Sequence, residues 1–286
     1  MSSAPLKNII IAGVTGSVGA PILRALPDEP SLTIIILTRA SSSAKFPSHI
    51  PVKKVSDAFT LEELTAAFTA QDAVIVALST TPITIDDIAF RLIDAAVAAG
   101  VKRFIPSEFG TNNLDLRARK LVLRKAKESE GGLTWTSFSC AFNPAKSGNF
   151  LGIDVKGRKA TIWDSGKSKF TVTTSSNTGL AVVHALLSPA ESANKQVFLS
   201  DFVTSSWEIW AIEEKASKPV MKEPRKKFDE GDYNAVYILL ALSFVGDVNV
   251  GYDFEKEQLV WNQKLGLPKV ALDEVVKEAI ELVKSS

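Results

Sequence analysis

The first half of the chain alternates short apolar runs with stretches whose apolar positions recur at helical spacing. Ile9 to Ile11 opens the series as a run of β-branched residues, the pattern of a strand buried on both faces. Leu32 to Leu37, Val52 to Val55, Ala73 to Leu78, Val101 to Ile105 and Leu133 to Ser139 read as further strands. Between them, Val18, Ile22, Leu23 and Leu26 mark a first helix, and Thr60-Leu-Glu-Glu63 is a capping box that starts a second over Leu61 to Ala70. Ile88 to Ala99 makes a third, stopped by Gly100, and Leu116 to Ser129 a fourth. Strands alternating with helices predict right-handed crossovers and a parallel sheet covered on both faces. The expected fold is therefore α/β, a Rossmann-type doubly wound parallel sheet with its ligands at the carboxyl ends of the strands.

The second half is less regular. Ala160 to Ile162 and Lys169 to Thr173, separated by Asp164-Ser-Gly166, predict a hairpin. Asn177 to Leu187 and Ser206 to Lys215 predict helices, with a short strand at Val197 to Leu199. Lys218 to Asp232 is charged and carries two prolines, which predicts a solvated loop, and Tyr233 to Phe244 predicts a buried helix. Val275, Val276, Ala279, Ile280 and Val283 place one apolar face on a C-terminal helix over Leu272 to Val283. The expected division is a Rossmann domain over 1–150 and a smaller, mostly helical, substrate-covering region over 151–286. Helix 177–187 and strand 197–199 are expected to interleave that region with the first.

The strand Ile9 to Ile11 ends in Gly13-Val-Thr-Gly16-Ser-Val-Gly19, and a helix follows. Strand, glycine turn and helix in that order form a site for a dinucleotide pyrophosphate. Gly13 allows the sharp turn, Gly16 lets phosphate oxygens approach the main chain, and Gly19 lets helix and strand lie close. Thr15, Ser17 and Val18 complete the cradle, where unpaired N–H groups and the helix dipole favour an anion. NAD-selective sites place an acidic side chain at the end of the second strand, to accept from the ribose 2′-OH. Here Leu37-Thr-Arg39-Ala-Ser-Ser-Ser-Ala-Lys45 stands instead, with no acidic residue between Ser31 and Lys45. A guanidinium at Arg39 can grip a 2′-phosphate through two hydrogen bonds, with Lys45 as a second positive charge and Ser41 to Ser43 as hydroxyl donors. NADPH is the expected cofactor.

Composition narrows the remaining classes. The 286 residues are 45% hydrophobic and 23% charged, the balance of a globular protein with a substantial core. A formal net charge of +1 gives no reason to expect nucleic acid or an anionic membrane as partner. One cysteine, Cys140, suits a reducing compartment, and neither a hydrophobic leader before the first strand nor a membrane-length apolar stretch is visible, so a cytoplasmic protein is expected. Two histidines and one cysteine cannot build a zinc site of the usual spacing, so no metal is expected. His184 sits in an apolar helical pattern, His49 in a proline-flanked loop, and no Gly-x-Ser-x-Gly elbow supports a hydrolase. No tyrosine precedes Tyr233, so the Tyr-x-x-x-Lys pair of many reductases on this fold is absent from the first half. Tyr252-Asp-Phe-Glu-Lys256 matches that pattern by coincidence only.

The phrase Val101-Lys-Arg-Phe-Ile-Pro-Ser-Glu-Phe-Gly110, the glycine turn and the arginine after the second strand together resemble the NmrA-like, isoflavone-reductase-like family of atypical short-chain reductases. That family includes phenylcoumaran benzylic ether reductases and pinoresinol–lariciresinol reductases. The likeness extends more loosely through Phe170-Thr-Val-Thr-Thr174 and Asn194-Lys-Gln-Val-Phe198. Counting back from Glu130-Gly131, it implies that Lys120 is the active-site lysine and general acid/base. A positioned ammonium can protonate an oxygen that becomes basic as hydride arrives, and removal from water brings its pKa toward neutrality. By position, the resemblance also implies cofactor contacts at Ser79, Thr80, Ser107, Phe142 and Asn143, and substrate contacts at Thr81, Glu108, Phe109 and Phe150. Asn177-Thr-Gly179 replaces the Asp-Ile-Gly of many relatives, and Ala141 to Phe150 does not reproduce the plant enzymes' substrate segment. The plant substrates therefore do not carry over. The implied activity is an NADPH-dependent reductase of a small aromatic or polyketide-like metabolite, acting as monomer or homodimer. The rival is an NmrA-like redox sensor that binds dinucleotide and a protein partner without turnover; such regulators typically lack the lysine. An isomerase or epimerase that uses the cofactor transiently is a third reading.

Overall fold

A computed structural model of the chain describes residues 6–78, 88–110, 132–140, 153–154, 159–160, 162, 165–212 and 251–284. In chain order the strands are β1 (Asn8–Ala12), β2 (Thr33–Arg39), β3 (Val52–Val55), β4 (Ala73–Val76), β5 (Arg103–Ile105), β6 (Thr134–Ser139), β7 (Ile153–Asp154), β8 (Lys159–Ala160), β9 (Phe170–Val172), β10 (Lys195–Phe198) and β11 (Phe202–Thr204). The helices are α1 (Gly19–Ala25), α2 (Leu61–Phe68), α3 (Ile88–Ala98), α4 (Ser175–Leu187), α5 (Pro189–Ser192), α6 (Ser206–Ile212), α7 (Phe254–Glu257) and α8 (Leu272–Lys284). Two compact units result, Met1–Ser139 with Ser175–Val197, and Cys140–Thr174 with Phe198–Ser286.

The first unit is built on a seven-stranded sheet of order β10-β6-β5-β4-β1-β2-β3. The pairings from β6 through to β3 are parallel, as the alternating pattern of apolar runs and helices predicts. Strand order reverses between β1 and β4, and the crevice at that switch point is where open α/β sheets take their ligands. Ile10 and Ala12 face a core shared with Leu64 and Phe68 of α2 and Leu92 and Ile93 of α3. Ile9 and Ile11, equally buried, alternate to the opposite face. α1 packs against α4, where a Cβ on Gly179 would stand 2.6 Å from the carbonyl oxygen of Pro21.

Two polar residues brace this sheet. Asp72 accepts the main-chain N–H of Lys7 at 3.0 Å and of Asn8 at 2.9 Å, and the Lys102 ammonium at 2.7 Å. Arg103, only 2% exposed, donates from Nε to Thr134 Oγ1 at 2.8 Å and from Nη1 to Thr136 Oγ1 at 2.7 Å. It also donates to Ser192 Oγ at 2.8 Å and to the Pro189 carbonyl at 2.6 Å, so one side chain joins β5, β6 and α5. All these partners are neutral, and burial pushes the guanidinium down to about 10, still charged at pH 7.

Local signals were obeyed with adjustments. Thr60 caps α2 by accepting the Glu63 N–H at 3.3 Å, but the Glu63 carboxylate turns to Ser56 and the Thr60 hydroxyl instead of the Thr60 main chain. Val101 does not open β5. Its N–H bonds Ala96 O at 3.0 Å while the Gly100 N–H bonds Val97 O at 3.1 Å, a Schellman-type close of α3, and the strand begins at Arg103.

In the second unit the expected hairpin is not found among the described residues. β8 pairs antiparallel with β7, and β9 pairs antiparallel with β11. The turn at Gly166 is real, yet its carbonyl accepts the Trp207 N–H at 3.1 Å, so it docks on the start of α6. Phe170, Thr171 and Val172 are all fully buried, which demands an internal strand partner, and Phe202–Thr204 supplies it. Phe198 meets Phe254 edge to face at 5.1 Å, and α8 packs on α6. Tyr233–Phe244, Lys218–Asp232 and Leu116–Ser129 lie outside the described residues. Among the described residues no helix is long and apolar enough to cross a membrane.

Candidate nucleotide site

β1 delivers the chain to the switch point, where Gly13 turns with φ +88°, a conformation that a side chain resists. The loop after β4 lies hard against it: a Cβ on Gly13 would stand 2.3 Å from the Ala77 carbonyl oxygen. The turn closes through the Gly16 N–H to Gly13 O at 3.1 Å, and α1 begins with the Ala20 N–H on Gly16 O at 3.0 Å. A Cβ on Gly19 would meet Gly13 O at 2.2 Å, which is the close helix–strand approach the spacing predicts. Thr15, Gly16 and Ser17 are exposed, with Val18 half-buried. Among the described residues no acceptor takes the N–H of Thr15, Ser17 or Val18. Packing on one side and open donors on the other suit the turn to a pyrophosphate.

β2, next to β1 in the sheet, ends at the exposed Arg39. Its register with β3 pairs Arg39 with Val55 and continues as the Ala40 N–H on Val55 O at 2.7 Å. The chain then folds back through the Ser42 N–H on Arg39 O at 3.1 Å and the Ala44 N–H on Ser42 Oγ at 3.3 Å, with Lys45 exposed beyond. Ser41 is held by a residue that the sequence reading passed over. Its N–H donates to Asp57 Oδ1 at 3.1 Å and its hydroxyl donates to Asp57 Oδ2. The Ser41 hydroxyl, then its N–H, and to a lesser degree the Arg39 charge hold the Asp57 carboxyl below its ordinary value against a small opposing effect of burial. The one signal for Asp57 was its place two residues after the third apolar run, level with the loop after the second.

Across the crevice, Ser107 follows β5 and donates its hydroxyl to the Leu78 carbonyl at 2.6 Å, tying the ends of β4 and β5. Its oxygen lone pairs remain as acceptors. Glu108 is half-buried in a tight turn closed by its N–H on Pro106 O at 2.8 Å. The Phe109 ring lies parallel to that of the core residue Phe138, centroids 5.9 Å apart. Gly13, Thr15, Gly16, Ser17, Val18, Gly19, Arg39, Lys45, Ser107, Glu108 and Phe109 thus all belong to the first unit. Lys120, Ser79, Thr80, Thr81, Phe142, Asn143 and Phe150 lie outside the described residues. Cys140 is buried directly after β6, His184 is half-buried on α4 and His49 is exposed. Among the described residues no cluster of three or more His, Cys, Asp or Glu is placed to hold a metal ion.

Residues 13–130 match a family model described as NAD(P)H-binding. The chain is 39% identical over 212 residues to the oxidoreductase aprR of Aspergillus flavus, covering 70% of each chain. It is 30% identical to the oxidoreductase poxI of Penicillium oxalicum, over 98% of this chain and 96% of the relative. Among solved structures, leucoanthocyanidin reductase from Vitis vinifera superimposes with a TM-score of 0.72 at 18% identity, covering 96% of this chain and 99% of that one. AtPrR2 in apo form gives 0.71 at 20% identity, with the same coverage.

Proposed function

The chain belongs to the NmrA-like, isoflavone-reductase-like family of atypical short-chain reductases, and from that membership we propose an NADPH-dependent reductase of a small aromatic or polyketide-like molecule, with Lys120 as general acid/base. The coarser activity is that of an NAD(P)H-dependent oxidoreductase. The observation that carries the choice of NADPH is Arg39, exposed at the end of the strand beside the glycine turn, with no acidic residue on that strand. When bound, the reduced nicotinamide supplies hydride at its C4. The Thr15, Ser17 and Val18 N–H groups serve the pyrophosphate. Arg39 would hold the 2′-phosphate, with Lys45 adding positive charge. By the family resemblance, Ser79, Thr80, Ser107, Phe142 and Asn143 are assigned to the cofactor, and Thr81, Glu108, Phe109 and Phe150 to the substrate. Lys120 Nζ would give its proton to the substrate oxygen that becomes basic as hydride arrives, and solvent would then reprotonate the amine. Both relatives named above are called oxidoreductases, which supports turnover over sensing without turnover. The protein is read as cytoplasmic, as its lone, buried Cys140 suits a reducing compartment.

The test is a nucleotide-fluorescence titration followed by a substrate screen. Arg39→Ala should weaken NADPH at least ~10-fold and leave NADH nearly unchanged, the worth of a charge-assisted hydrogen-bonded pair. Lys120→Ala should lower turnover of any substrate found by ~100-fold or more while NADPH still binds. Wild-type protein that holds NADH as tightly as NADPH sinks the phosphate assignment, and undiminished turnover by Lys120→Ala sinks the catalytic one.

A further inference from the structure

We infer that Asp57 is a positioning residue that sets the preference for NADPH over NADH, by clasping Ser41 so that the loop carries Arg39 in a fixed place. The inference rests on the NADPH reading above and adds to it a residue on a different strand. Beyond β2 and β3 the parallel register runs on without a ladder: Arg39 pairs with Val55, and two residues further Ser41 meets Asp57. Both polar groups of Ser41 end on the one carboxylate, the N–H on Oδ1 and the hydroxyl on Oδ2. Two donors from one residue on two oxygens of another fix an orientation as well as a distance. Arg39 opens the segment so held: its own carbonyl accepts the Ser42 N–H, and the N–H of the next residue, Ala40, bonds Val55 O. A guanidinium grips phosphate well only when its planar fork is already aimed. The clasp also reassigns Ser41, whose hydroxyl proton is committed to Asp57 and is not offered to a phosphate.

A bare carboxylate beside a 2′-phosphate would repel it, so charge and positioning act in opposite directions here and can be separated. Asp57→Ala loses the clasp. Asp57→Asn keeps an oxygen for the Ser41 N–H and removes the charge. If Asp57 positions the loop, Asp57→Ala weakens NADPH ~5-fold to ~10-fold and changes NADH less than twofold. Asp57→Asn then stays within about twofold of wild type for both nucleotides, and Ser41→Ala, which removes one of the two bonds, falls between. Should Asp57→Ala and Asp57→Asn both tighten NADPH, Asp57 is only a repulsive charge and the inference is overturned. An unchanged NADPH-to-NADH ratio in Asp57→Ala and Ser41→Ala, including equal loss of both nucleotides with a lowered melting temperature, overturns it as well. Failure of the NADPH reading shows separately, as a wild-type protein without preference, and takes this inference with it.

Discussion

Gly13 and Gly16 stand three residues apart in one turn, yet their packing assigns them different work. A methyl group at Gly13 would have to occupy space 2.3 Å from a main-chain oxygen that cannot swing away, at a φ of +88°. At Gly16 the nearest atoms to an added Cβ are Gly13 O at 3.4 Å and Ala77 O at 3.7 Å, ordinary contact. Gly13→Ala should therefore cost about 3 kcal/mol or more of stability, by clash and by left-handed strain. Gly16→Ala should leave the melting temperature nearly unchanged and weaken dinucleotide binding ~10-fold or more, because its Cβ enters the space a pyrophosphate needs. Thermal melts read beside nucleotide titrations check both. The motif alone could not tell these roles apart, since three glycines at fixed spacing look alike in sequence. Asp57 was harder to find for another reason. Its partner Ser41 is sixteen residues away, and only the β2–β3 register, which the sequence does not state, makes them neighbours.

The elements that read most clearly were those whose burial is one-sided or complete in a regular way. Ile9–Ile11 and Ala73–Val76 are buried throughout, so their unbroken apolar runs announced central parallel strands. Phe170–Val172 is equally buried, but a three-residue strand with a threonine at its centre carries no information about which strand pairs with it. A nearby glycine turn therefore pointed to a local hairpin, whereas the actual partner is Phe202–Thr204. Arg103 shows the same blindness in a polar residue. Within the phrase Val-Lys-Arg-Phe it looks like a surface charge, yet it is buried against β6 and α5. Arg103→Leu leaves the Pro189 carbonyl without its arginine donor and the hydroxyls of Thr134, Thr136 and Ser192 without the N–H groups they accept. The expected loss is about 3 kcal/mol, seen as a lower denaturant midpoint at unchanged slope. Arg103→Lys should recover only part of it, since an ammonium cannot reach four acceptors on three sides.

At the scale of the molecule, the carboxylate of Asp72 gathers the Lys7 and Asn8 N–H groups at β1 and the Lys102 ammonium beside β5. Burial opposes its ionisation, but the Lys102 hydrogen bond and the two main-chain N–H groups outweigh burial and hold it below its ordinary value. A carboxyl depressed on folding stabilises the folded state above its unfolded pKa, and that contribution disappears as pH falls through the folded value. Asp72→Asn should therefore melt lower than wild type at pH 7, by an amount equivalent to about 1–2 kcal/mol, and the gap should close below about pH 4. A gap that persists unchanged at pH 3 would mean the carboxylate charge contributes nothing.

The first unit also has an order of assembly written into it. Its sheet edge at β6 and the outer side of α1 are completed by Ser175–Val197, with Gly179 seated on Pro21 and Ser192 closing the shell around Arg103. The ribosome has made the glycine turn, Arg39 and Asp57 long before it makes those residues. A nascent chain cannot finish the nucleotide lobe until the intervening segment of the second unit, Cys140–Thr174, has already emerged. The two units are thus bound to fold as a pair in time, each waiting on a length of chain that the other interrupts.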